Sequence, residues 1–217
     1  MRTRWLRSLA LLPCAAALVS ACSTTPDDEM VPRPTAVTTV VSQAAAPLPR
    51  LPHGASTYVA GRPATISNGA IHAGGHTVVV APLRADQAVA TRGGTYFLNA
   101  GELWYVADHA ARSTGLVAVG HLALSSDGRY LALVDRTHGP SVPGGVPVAA
   151  AVVYDTTSGR VVLRSRAGMG SVGDDLRSAY AARPPRVLSV SDQALVARTP
   201  AGRYRYPLDG STPTPLS

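Results

Sequence analysis

From His53 to the C-terminus the apolar residues fall in runs of four to seven, each cut off by Gly, Pro, Asp or Ser, and no stretch sustains a long helical stripe. A chain written in such short units has no broad amphipathic helix face to bury, so it builds strands joined by tight turns. Between consecutive runs stand Gly93-Gly94, Ala100-Gly101, Asp127-Gly128, Ser158-Gly159 and Ala201-Gly202. Loops of this kind supply the positive φ that tight hairpins need, so neighbouring strands are expected to pair as antiparallel meanders. The expectation is an all-β fold with strands over 77–81, 88–91, 95–98, 102–107, 116–119, 121–125, 129–135, 149–155, 160–165, 187–190, 194–198 and 203–207.

These strands group into a repeat. His121 to Arg166 reads as four consecutive strands, Ala88 to Gly120 as a shorter copy, the tail as three strands of another, and Gly69 to Val80 as a partial fourth. Four-stranded repeats of roughly 40–45 residues are the sequence signature of propeller blades. The 165 residues from 53 to 217 hold about four of them. That number sits at the bottom of the range for a closed ring, so the expectation is a small or partial array of four-stranded antiparallel blades, open to homo-oligomerisation.

The segment LALSSDGRYLALVD followed by VVYDTTSGRVV resembles a blade of a WD40-type or TolB-like β-propeller. Asp127-Gly128 stands where that family turns from its first strand to its second. Tyr154-Asp155 and Gly159 stand where its third strand ends and turns. The resemblance implies a propeller-like domain that uses its loops for contacts.

Upstream, residues 1–21 combine a basic start (Arg2, Arg4, Arg7), an apolar stretch from Leu9 to Val19 and small residues, the pattern of a secretory signal peptide. Val19-Ser20-Ala21-Cys22 resembles a bacterial lipobox, which implies lipidation of Cys22 and an anchor on the extracytoplasmic face of a bacterial membrane. Residues 22–52, with prolines at 26, 32, 34, 47, 49 and 52, read as an extended tether to a domain over 53–217. Three of the twenty arginines leave with the leader, so the net charge falls from +7 to about +4. With Cys14 also removed, Cys22 is left as the sole cysteine, and thiol catalysis, an intrachain disulfide and cysteine metal sites are excluded.

All twenty basic residues are arginines. With no lysine, the chain has no Schiff base, no P-loop lysine and no Ser–Lys dyad, because a guanidinium does not deprotonate. No cofactor is expected. Gly168-Met169-Gly170-Ser171-Val172-Gly173 is a literal G-x-G-x-x-G, with Asp192 nineteen residues beyond it. Its preceding strand belongs to a hairpin, its helix would be short, and Asp174-Asp175 places negative charge where a pyrophosphate should sit, so a connection between blades is the preferred reading. His72 and His76 flank a turn and make at most an incomplete metal site. The longest loop within the best blade, 137–147, is a candidate contact surface containing His138. Arg164 and Arg166 are expected to share one strand face, and Arg203 and Arg205 another, while Tyr204 and Tyr206 face the opposite way.

Two classes of function stand. One is a non-enzymatic, membrane-anchored binding module for envelope proteins or acidic polymers, its basic faces attracting polyanions in a salt-dependent way. Nucleic acid is not expected outside the membrane. The other is an extracytoplasmic hydrolase or lyase with polar residues converging at a propeller centre. A shortened propeller relative without autonomous function is the third reading. No nucleophile–base or metal constellation is legible in the spacing, which favours the binding module.

Overall fold

The structure, a computed structural model, describes residues 42–107 and 110–217. The leader, Cys22 and the first part of the expected tether lie outside the described residues. Four antiparallel sheets follow one another along the chain. The first holds β1 (Thr65–Ser67), β2 (Ala70–Ala73) and β3 (His76–Val79), and the second β4 (Gln87–Thr91), β5 (Gly94–Asn99), β6 (Glu102–Ala107) and β7 (Ala110–Val117). The third holds β8 (Ala123–Leu124), β9 (Tyr130–Asp135), β10 (Ala150–Asp155) and β11 (Arg160–Ser165). A short helix, α1 (Leu176–Ala182), the only one among the described residues, leads to the fourth, made of β12 (Arg186–Val190), β13 (Ala194–Thr199), β14 (Gly202–Pro207) and β15 (Thr214–Leu216). Within every sheet the strands pair strictly in chain order, and no sheet closes into a barrel. The described chain is an all-β, partial propeller-like array of meander blades.

The turns expected from Gly dipeptides form. Ala100 and Gly101 both take positive φ, 50° and 82°, the combination that a two-residue hairpin loop requires. β1 and β15 were not among the expected strands, and β2 was expected only as part of the partial copy over 69–80. β1 and β2 are joined by Asn68-Gly69, again with φ positive at both residues, but β1 has only Ile66 as an apolar residue and is exposed throughout. β15 is three residues long and interrupted by Pro215. Conversely, the strand expected over 121–125 contracts to two residues, because Ser125 accepts from the Tyr130 amide and donates to Asp127 inside the turn.

Packing follows from strand alternation. In β10 every residue is buried, and its two faces enter different cores. Ala150, Val152 and Tyr154 meet Tyr96, Leu98, Leu103 and Leu116 of the second sheet. Ala151 and Val153 meet Leu195, Ala197 and Tyr206 of the fourth, together with Met169 and Tyr180. In β5, likewise, Tyr96 and Leu98 face the third sheet while Phe97 packs with Ile71 and Ala73 of the first. Each inner sheet is therefore sandwiched between its chain neighbours, as blades are. This explains why β10 reads as an unbroken apolar run, since a strand covered on both faces has no polar side.

The expected tether is corrected at its C-terminal end. Gln43 pairs with Ser141, the Leu51 amide donates to the Gly159 carbonyl, and Leu51 is 1% exposed within the core shared by the second and third sheets. The Tyr96 and Tyr154 hydroxyls donate to the Pro52 and Pro49 carbonyls. The strap continues to the first sheet, where Thr57 packs on Gly74. Burying a leucine contributes roughly 2 kcal/mol, so these residues belong to the folded unit. Prolines suited to an extended tether serve equally in a strap that makes only scattered backbone bonds. Gly159 explains how the strap approaches so closely: a Cβ there would stand 2.0 Å from the Leu51 oxygen, on a backbone with φ of 66°.

Candidate functional site

The loop over 137–147 is anchored rather than free. Asp135, fully buried at the end of β9, accepts from the backbone amides of Thr137 and His138 and from the Thr137 hydroxyl. His138 places Nδ1 3.1 Å from Asp135 Oδ1, with its side chain 18% exposed. Arg164 donates to the His138 carbonyl and to the Ala46 carbonyl. Arg164 and His138 are thus brought together, and the guanidinium pins loop and strap. The expected pairing of Arg164 with Arg166 on one strand face is not seen: β11 ends at Ser165, and Arg166 stands in the following turn, exposed, its carbonyl accepting from the Met169 amide.

The glycine-rich segment forms the connection between the third and fourth sheets. Met169 is fully buried, and its carbonyl accepts from the Tyr180 hydroxyl, which itself accepts from the Ala149 amide. Asp174 accepts from the Ser171 amide within the loop, and Asp175 caps α1 by accepting from the Ser178 amide. The loop amide and helix N-terminus that a phosphate would need are therefore occupied by the chain's own carboxylates.

His72 and His76 are not brought together. Register pairs His72 with Thr77 and His76 with Ala73, positions of opposite facing on the β2–β3 hairpin. His72 bridges three strands, with Nε2 2.7 Å from the Ser67 hydroxyl and Nδ1 2.9 Å from the Thr77 hydroxyl. Among the described residues no three His, Cys, Asp or Glu side chains gather as a metal site would require.

The turn carboxylates serve the fold. Burial pushes the Asp155 carboxyl up, but hydrogen bonds from Thr157 and Arg129 outweigh it and hold the group below the usual carboxylate range. Arg129 reaches Asp155 Oδ2 through both Nε and Nη2, at 3.0 and 2.8 Å. Asp127 is lowered chiefly by the Ser125 hydroxyl, and Asp209 by the Ser211 side chain and amide. Each sits in a turn it stabilises.

The fourth sheet carries a different arrangement. Tyr204 and Tyr206 turn inward, Tyr206 fully buried, while Arg203 and Arg205 turn out, as expected from their alternation. Sequence spacing alone did not reveal their neighbours. Arg198 of β13 stands directly opposite Arg203, and Arg186 of β12 stands directly opposite Arg198. Arg205 follows on the same face, opposite Val196. Directly opposed residues have their Cβ atoms about 5 Å apart, so Arg186, Arg198 and Arg203 form a ladder of neighbouring side chains across three strands, with Arg205 on the same face. None forms an ion pair among the described residues. The Nε of Arg198 is buried without a hydrogen-bond partner. Asp209 lies close enough for Arg205 to help lower its pKa, yet it is committed to its own turn.

Comparison with protein-family models, with curated proteins and with solved structures finds no match to this chain. The class defined by the fold alone is an open array of antiparallel blades, and by its last sheet one with an unpaired arginine face.

Proposed function

We propose that the protein is a bacterial lipoprotein, anchored through Cys22 on the extracytoplasmic face of the membrane, whose WD40-type or TolB-like blade array is a non-enzymatic binding module for acidic envelope polymers. The observation that carries this reading is the arginine ladder Arg186–Arg198–Arg203, flanked by Arg205, on the open face of the last sheet. Like charges directly opposed across strands destabilise a sheet, and a buried unpartnered Nε on Arg198 adds a desolvation cost. A polyanion laid across the strands relieves the repulsion, because exposed guanidinium groups accept anionic oxygens in bidentate fashion. The turn and loop carboxylates bound to nearby amides and hydroxyls support a scaffold role for those groups.

Two experiments test the two halves of the proposal. Intact mass of the membrane-extracted protein is expected to show acyl chains on Cys22, and an unmodified N-terminus at that residue overturns the anchor. Detergent-solubilised full-length protein is expected to bind long-chain inorganic polyphosphate and to lose that binding in Arg198→Gln/Arg203→Gln. Undiminished binding by the double variant overturns the assignment to this face. Vesicles containing anionic lipid, tested in parallel, overturn the polymer assignment if they bind the face more tightly than polyphosphate does.

A further inference from the structure

The strap that corrects the expected tether does more than close the core. Between Arg50 and Thr57 it runs over the edges of the first and second sheets, and beside it opens a cleft of about 900 Å3 bounded by β2, β3 and the β5–β7 strands. That volume lies in the range of cavities that hold small organic ligands. Its composition is lopsided. The first sheet contributes the apolar Ile71, Ala73 and Val78 together with His76, and Arg50, His53 and Arg112 add cationic or proton-donating groups from the strap and β7. No Asp or Glu lines it among the described residues.

The polar groups are poised rather than used. Arg50 engages only its Nε, donating to the Ser158 carbonyl, which leaves its terminal nitrogens available. Arg112 pairs with Tyr105 through the β6–β7 ladder, and its exposed side chain makes no ion pair among the described residues. His76, placed by register on the side of Ala73 and away from His72, faces the cleft. The backbone around the opening is held in place: the Gly54 amide donates to the Gly93 carbonyl, the Thr57 amide to the Thr91 carbonyl, and Thr95 donates its hydroxyl to that of Thr57. A cleft with a fixed frame, an apolar wall and unneutralised cations suits one class of ligand, a small organic anion with an apolar body.

We infer that this cleft is a binding site for a small amphipathic anion, a carboxylate or sulfonate on an aromatic or aliphatic body, with the acid head at Arg112 and His76 and the body against Ile71 and Val78. The site is separate from the arginine face of the fourth sheet and does not depend on it.

The test is calorimetry of the full-length protein in nonionic detergent with naphthalenesulfonate, against a protein-free detergent blank. Saturable binding of one equivalent is expected. Arg112→Gln and His76→Gln are each expected to weaken it by about tenfold, because each removes a charge-assisted or ring hydrogen bond. Both positions are exposed, and unchanged thermal melting of each variant verifies that the fold survives. The uncharged naphthalenemethanol is expected to bind at least about tenfold more weakly than the sulfonate. Arg198→Gln/Arg203→Gln is expected to bind the sulfonate as wild type does, which separates this site from the polymer face. No saturable binding, equal affinity for the neutral analogue, or wild-type affinity in both cleft variants overturns the inference.

Discussion

Arg198 and Arg203 stand directly opposite each other on β13 and β14, and no carboxylate among the described residues bridges them. Such a pair works against the sheet that holds it, by a few tenths of a kcal/mol to about 1 kcal/mol. Replacing Arg203 with Thr, which suits an exposed strand position, is therefore expected to leave thermal stability unchanged or to raise it. The same change lowers polyphosphate affinity. A variant that melts clearly below wild type contradicts the view that this arginine is held at a cost to the fold.

Arg129 and Asp155 present the opposite case, an ion pair that closes the first and third turns of one blade. The folded Asp155 pKa is depressed, so its contribution to stability is fully present above the unfolded value near 3.9 and disappears as pH falls through the folded value. Asp155→Asn is expected to cost about 2 kcal/mol at pH 7, with the difference from wild type shrinking as pH falls from the unfolded value near 3.9 through the depressed folded value. Chemical denaturation across that range checks it. A gap that stays constant with pH shows that the charge is not what matters.

The strap makes its own prediction. Leu51→Ala removes a buried side chain at the junction of two sheets and is expected to cost about 3 kcal/mol. A chain starting at Gln43 is expected to fold, whereas one starting at His53 loses Leu51 and the backbone bond to Gly159 and is much less stable. Equal melting temperatures for the two truncations contradict the placement of the strap inside the folded unit.

Tyr180 ties α1 to two neighbouring segments through one hydroxyl, which donates to Met169 and accepts from Ala149. Tyr180→Phe leaves a buried amide and a buried carbonyl unpaired and is expected to cost about 2 kcal/mol. Faster hydrogen exchange at the Ala149 amide is the local readout. Unchanged exchange there means that the amide finds another acceptor.

Much of the architecture was legible because the signals were local. β9 and β10 are almost wholly apolar up to their terminal Asp135 and Asp155, Asp127-Gly128 and Ser158-Gly159 mark their turns, and a strand buried on both faces has no polar side to confuse the reading. β1 lay outside the expected partial copy over 69–80 although Asn68-Gly69 is the strongest short hairpin signal, because its three residues are all exposed and carry a single apolar side chain. The strap was hidden for a different reason: its prolines describe an extended backbone, and whether such a backbone is free or docked depends on a partner surface more than a hundred residues away. Arg203 and Arg205 could be placed on a common face by alternation alone. Their opposition to Arg198 and Arg186 depends on register across strands, which no single-strand pattern contains. Arg112 carried no local signal at all, since it gains meaning only beside His76 and the strap.

The central claim is that the arginine ladder meets a polyanion, and salt tests it most directly. The measurement is polyphosphate affinity of the full-length protein across a series of salt concentrations, for wild type, Arg198→Gln/Arg203→Gln, and a control, Arg62→Gln/Arg84→Gln, that removes two exposed arginines elsewhere. Counterion release gives a plot of log affinity against log salt a slope of about one for each charge engaged. The account predicts that the ladder variant loses about two from that slope while the control keeps the wild-type slope. A ladder variant as salt-sensitive as wild type, or a control that loses as much, contradicts it.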